Sequence, residues 1–142
     1  MIRRFLDRLQ PLALLVMRCT LGAIMIAHGW LKVSNGHFGE KMAATVASMG
    51  FPGWLGYVVT WLEFLGGMLI IAGILTRVLG LLFTVEMAVA IWKVHGKNGF
   101  VGPGGYEFAL AVGVIAFALI WFGGGLISVD HLIVGGGHKA GR

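Results

Sequence analysis

Residues 54–75 read WLGYVVTWLEFLGGMLIIAGIL, an apolar run broken by one ionisable side chain, Glu63. Such a run matches the roughly 20 residues an α-helix needs to cross a bilayer. A carboxylate in its middle is costly unless paired or hydrated, so it marks an inward-facing position. The same reading extends outward to residues 11–33, 78–94 and 106–127. Arg18 lies inside the first of these, with His28 and Lys32 toward its far end, and Glu86 lies inside the third. The expected fold class is all-α. It is an integral membrane four-helix bundle forming a single domain over residues 1–142.

Composition supports a lipid solvent. Apolar residues make up 58% of the chain and charged residues 12%, about half the share of a soluble domain. The net charge is +5, but the basic residues form no recognition helix and no stripe interleaved with aromatics, which argues against nucleic acid as a partner. Lys and Arg at the ends of membrane helices explain the balance. The single cysteine, Cys19, makes neither an internal disulfide nor a CxxC pair and reads as a buried inert thiol. Arg3, Arg4 and Arg8 precede the first apolar run as in a signal peptide, but Arg18 interrupts that run and no small-residue cleavage site follows. It reads as a retained first helix.

The connections set the topology. A tight turn around Thr76-Arg77 makes the second and third spans antiparallel neighbours. Residues 40–49 read as a short interfacial helix ended by Gly50 and Pro52, and residues 95–105 as a glycine-rich loop. Arg3, Arg4, Arg8, Arg77, Lys139 and Arg142 fall on one side, with Lys41 and Lys97 on the other, which places both termini in the cytoplasm. Trp30, Trp54, Trp61, Trp92 and Trp121 mostly fall near span ends, as interfacial tryptophans do.

At about 100° per residue, Arg18, Gly22, Met25, Gly29 and Lys32 share one face of the first span, with His28 on its flank. Gly56, Glu63 and Gly67 share a face of the second, Glu86, Ala90 and Lys93 of the third, and Glu107, Ala111, Val114 and Ala118 of the fourth. Faces that combine charge with small residues turn toward neighbouring helices rather than lipid. Depth from the helix ends suggests a structural Arg18–Glu86 ion pair near the cytoplasmic side, with Glu63 the other acid open to Arg18. It puts a ligand or proton-relay pocket around Glu63 and His28 above it, with Lys32, Lys93, His95 and Glu107 at the outer end. No metal site is expected, because no HxxxH or HExxH spacing occurs and His37, His131 and His138 read as loop or tail residues. Gly135-Gly136-Gly137 reads as flexible linker rather than a phosphate loop.

Across roughly residues 11–133 the chain resembles the DoxX family of small four-helix membrane proteins. The matching segments are Arg18 with Leu21-Gly22, His28-Gly29-Trp30-Leu31-Lys32, Glu63-Phe64-Leu65-Gly66-Gly67, Gly73-Ile74-Leu75-Thr76-Arg77, Gly104-Gly105-Tyr106-Glu107, Gly123-Gly124-Gly125 and Ser128-Val129-Asp130. Their order and spacing carry the resemblance more than any one of them. It implies a bacterial inner-membrane, multi-pass protein linked to redox chemistry, since the family is named for a subunit associated with a terminal quinol oxidase and thiosulfate oxidation. Other members look like accessory partners of oxidative-stress proteins. Relatives that support disulfide chemistry carry paired cysteines, which this chain lacks.

The leading expectation is an accessory subunit of a membrane redox system that binds a quinone or similar lipophilic molecule. Glu63 and His28 would hydrogen-bond its oxygens and Lys32 would favour developing negative charge. The chain carries no haem, flavin or iron–sulfur pattern, so no intrinsic cofactor is expected and electrons would come from a redox-enzyme partner. The rival expectations are a scaffold recruiting a partner enzyme and a small proton or solute transporter, the latter as a homo-oligomer.

Overall fold

The computed structural model describes residues 2–34 and 38–136, with side chains described for residues 6–34 and 38–134. Among the described residues every regular secondary-structure element is helical. Helix α1 spans Ile2–Ser34, α2 spans Glu40–Ser48, α3 spans Trp54–Ala72, α4 spans Thr76–Asn98, α5 spans Glu107–Phe122 and α6 spans Val129–Gly136. Three stretches, Leu6–Ser34, Trp54–Ala72 and Thr76–Asn98, are long and apolar enough to cross a membrane. Helix α5 has 16 residues, about 24 Å of helix, and is shorter than a typical crossing.

Several boundaries differ from those read in the sequence. Helix α1 does not begin at Pro11 but passes through it. Pro11 removes one intrahelical hydrogen bond there, close to the chain end and before the buried part of the helix. The link between α3 and α4 is Gly73-Ile74-Leu75, not Thr76-Arg77, which is already helical. Gly73 ends α3 with φ +74, the Ile74 N–H donates to Leu69 O at 2.9 Å and the Gly73 N–H to Ile70 O at 3.1 Å. This is a Schellman ending, for which glycine is the least strained residue. His95 and Asn98, placed in a loop by their glycine neighbours, continue α4 as a π turn and a 3-10 turn. Gly135 and Gly136, read as linker, are the last turn of α6. Gly137, His37 and His138 lie outside the described residues.

Glycines set the helix spacing. A Cβ on Gly29 would lie 2.5 Å from the Phe64 backbone nitrogen, and one on Gly67 would lie 2.8 Å from Gly22 O. Helices α1 and α3 therefore touch backbone to backbone. Gly66 faces Leu79 and Phe83 of α4, and Gly80 of α4 faces Ala116 and Ile120 of α5. Helix α5 also contacts α1. The core between them is Leu21, Met25, Ile70, Leu79, Phe83, Val112, Ala116 and Leu119.

The buried face of α1 is the one read from spacing: Arg18, Leu21, Gly22, Met25 and Gly29 are buried and Lys32 is half-buried. The face assigned to α5 is wrong. Glu107, Ala111 and Val114 are exposed, and Ala109, Val112, Ala116 and Leu119 pack inward. This helix is apolar almost all round, so small residues gave no reliable sense of direction. Outward faces carry exposed Leu12, Val16, Leu65, Leu81, Val114 and Phe117, and all five tryptophans are exposed. So much contiguous apolar surface is a liability in water and natural in lipid.

Candidate functional site

The α3–α4 hairpin brings its two glutamates level. Glu63 lies ten residues before Gly73 and Glu86 ten residues after Thr76, so an antiparallel pair joined by a three-residue turn places them at one depth. Glu63 sits in a π turn, Leu62–Gly66, which shifts the residues after it around the helix axis. Such turns recur at functional sites. The Glu63 side chain is 5% exposed, and both of its oxygens accept hydrogen bonds from Lys32 Nζ of α1. The carboxyl of Glu86 abuts Glu63, with Lys32 close enough for its charge to act on both. Glu86 Oε2 is buried and has no hydrogen-bond partner.

These groups form one wall of a cavity of about 530 Å³. The other walls are apolar and come from α1 (Ile24, Met25), α4 (Val85, Met87, Val89), α5 (Phe108, Ala109, Val112) and the α2 region (Met42, Val46, Met49, Phe51). The volume falls within the range of small-molecule sites, which are mainly apolar with a few convergent polar groups. Four methionines line it, and their flexible thioethers adapt to irregular ligands. His28 also lines the cavity and stacks on Phe108, with ring centroids 5.9 Å apart. His95 borders it with Nδ1 2.9 Å from Gly104 O. A carbonyl only accepts, so Nδ1 is the donor in this contact.

Of the residues expected at a ligand or relay site, His28, Lys32 and Glu63 come together here. Lys93 does not join them: its ammonium lies over the rings of Trp92 at 4.0 Å and Phe51 at 5.4 Å. Glu107 is exposed at the start of α5, away from the cavity lining. Glu86, assigned to a structural pair with Arg18, is instead a cavity residue. Its partner is set by the register of the α3–α4 hairpin, fixed by the turn at Gly73, rather than by depth from the helix ends.

Arg18 lies at the other end of the interior. It is 1% exposed, donates from Nη2 to Ile127 O, and packs against Gly73, where any side chain would overlap it. Its charge acts on Asp130. The Asp130 carboxylate accepts hydrogen bonds from the Leu75 N–H at 2.8 Å and the Thr76 N–H at 2.9 Å, while the Asp130 N–H donates to Gly73 O at 2.9 Å. Burial alone would raise the Asp130 carboxyl; those two N–H donors, with Thr76 and the Arg18 charge, hold it below the ordinary aspartate value. Cys19, beside Arg18, is half-buried and forms no disulfide among the described residues. Among the described residues no three His, Cys, Asp or Glu side chains converge to hold a metal ion.

The profile of the DoxX family matches residues 13–96. CatD of Bacillus subtilis, which carries a provisional oxidoreductase name, is 30% identical over 125 residues, 86% of this chain and 87% of CatD. The inner membrane protein YqjF of Escherichia coli is 29% identical over 132 residues, 90% of this chain and 97% of YqjF. An uncharacterised protein of Haemophilus influenzae is 28% identical over 130 residues, 89% of this chain and 94% of that protein. No solved structure matches the chain.

Proposed function

The chain belongs to the DoxX family of membrane proteins, and within it we propose that this protein is a lipophile-binding accessory subunit of an inner-membrane redox system, with a quinone or similar molecule as its ligand. The observation that carries the reading is the cavity: apolar walls for a ring and chain, with Lys32, Glu63, Glu86 and His28 gathered on its lining. A pair of carboxyls beside an ammonium offers both donors and acceptors to a ligand oxygen, and His28 presents a face for stacking. These are the elements that bind and orient such a molecule and move a proton to or from its oxygen. Electron transfer would be supplied by a partner protein. The oxidoreductase name of CatD supports the redox setting.

The supporting architecture is a four-helix bundle of α1, α3, α4 and α5, crossing the inner membrane several times with both termini in the cytoplasm. Helix α2 then lies at the opposite interface and roofs the cavity.

The test is extraction and mass spectrometry of lipophilic molecules from protein purified in mild detergent, comparing wild type with Glu63→Gln. A stoichiometric quinone or related lipophile in wild type, depleted in the variant, is expected. A well-folded wild type with no enriched lipophile would favour a scaffold that recruits a partner enzyme.

A further inference from the structure

The polar wall holds one more carboxyl than it has cations to serve. Lys32 is engaged by both oxygens of Glu63. The cation whose field reaches Glu86 is this same Lys32, while the nearer anion, Glu63, opposes it. Other basic groups around the cavity face elsewhere. Lys93 lies over two aromatic rings, His95 donates from Nδ1 to Gly104 O, and Arg18 donates to Ile127 O at the far end; His28 shares the lining, where its ring stacks on Phe108. Helix α2 presents Met42, Thr45 and Val46 to the cavity, and α5 presents Phe108, Ala109 and Val112, none of them charged. A second carboxylate anion against Glu63, with no cation of its own, would carry the full cost of a buried unpaired charge. A neutral acid avoids that cost and keeps an O–H to donate. Glu86 Oε2 is buried without a protein partner on the wall of the cavity.

We infer that Glu86 stands as a neutral carboxylic acid whose Oε2 is the ligand-reading atom, selecting uncharged lipophiles that bear a carbonyl-type oxygen and rejecting amphiphiles that bear a carboxylate. The inference rests on the lipophile-binding reading and adds the chemical class to it. One proton shared between the Glu86 and Glu63 carboxyls leaves the cluster with Lys32 neutral overall, so an uncharged ligand gains an O–H donor, whereas an anionic ligand would bring a further carboxylate against Glu63 with no free cation to pair it. An alkane or alkylarene of equal size would gain the apolar walls but not this hydrogen bond.

Three probes of equal chain length separate the ideas: an alkyl-benzoquinone, an alkylbenzene and an alkylbenzoate, each titrated into the full-length protein in detergent by intrinsic tryptophan fluorescence. At neutral pH the quinone should bind at least tenfold more tightly than the other two. Its affinity should fall as pH rises, because the cluster then loses its proton. Glu86→Gln keeps a donor and has no proton to lose, so it should retain binding and lose that pH dependence. Glu86→Leu should bind the quinone at least tenfold more weakly. Equal affinity for all three probes would overturn the inference while leaving a lipophile-binding cavity. Failure of all three to bind would overturn both. Infrared spectroscopy gives a readout independent of ligand. The C=O stretch of a protonated carboxylic acid should be present in wild type at neutral pH and absent in Glu86→Gln. Its absence in wild type would overturn the inference even if a lipophile binds.

Discussion

Lys32 and Glu63 show what a polar pair does inside an apolar helix bundle. Each charge is tolerable because the other is present, and the penalty appears when one is removed. Lys32→Met should destabilise the fold by about 3 kcal/mol, the lower end for a broken buried pair because Lys32 is a quarter exposed. The Lys32→Met, Glu63→Leu double variant should recover most of that loss, and thermal unfolding in detergent of the two singles and the double checks it. A double variant no more stable than Lys32→Met would mean that the pair does not stabilise through its charges. Gly29 acts by absence. With the Phe64 backbone 2.5 Å from where a Cβ would sit, Gly29→Ala should push α1 off α3 and cost about 1–3 kcal/mol in the same assay. Both residues were legible in the sequence, because a helix that carries Arg18, Gly22, Gly29 and Lys32 on one stripe has only one face to bury. Glu86 was not legible by the same means. Its helix face was right, but its partner depended on the register of another helix.

At the scale of elements, that register is fixed by the α3–α4 turn and by what clamps it. Leu75 adopts φ +52, an unfavourable conformation for a branched side chain. The carboxylate of Asp130 holds it there by accepting from the Leu75 and Thr76 N–H groups, and so ties α6 to the hairpin. Arg77 Nη1 donates to Ile120 O at 2.6 Å, a further tie from the start of α4 to the end of α5. Asp130→Ala should cost about 1–2 kcal/mol, the range for losing a helix-capping side chain. The folded-state value of Asp130 lies below its unfolded value. Its contribution is therefore complete above the ordinary aspartate value and is lost as pH falls through the lowered folded one. Unfolding midpoints measured downward from neutral pH should converge for wild type and Asp130→Ala only in that acidic range. A gap that closes near neutral pH would contradict the assignment. Ser128-Val129-Asp130 and Gly73-Ile74-Leu75-Thr76-Arg77 were both visible as motifs, but nothing in one sequence says that two segments more than fifty residues apart cap each other.

For the whole molecule, the outward surface decides the solvent and the inner cavity decides the chemistry. The apolar exterior was legible from composition and run length alone. The direction of α5 was not, because a helix nearly uniform in hydrophobicity carries no periodic signal, and the cavity emerges only when four helices and α2 are assembled. The proposed orientation predicts that Ser48→Cys, at the end of α2, reacts with a membrane-impermeant thiol reagent from the periplasmic side. His131→Cys, exposed on α6, should react only after the inner membrane is breached. The reverse pattern would invert the topology and leave the cavity unaffected.

The central claim is that the cavity beside Lys32, Glu63 and Glu86 holds a lipophilic molecule. Ala90 is half-buried on its α4 wall, so Ala90→Trp would fill space that a ligand needs while leaving Lys32, Glu63 and Glu86 unsubstituted. Native mass spectrometry of wild type and Ala90→Trp released from the same detergent is the direct measurement. The expected result is one bound lipophile of defined mass on wild type and none on a folded Ala90→Trp. The same adduct on both proteins, or none on wild type, would contradict the claim.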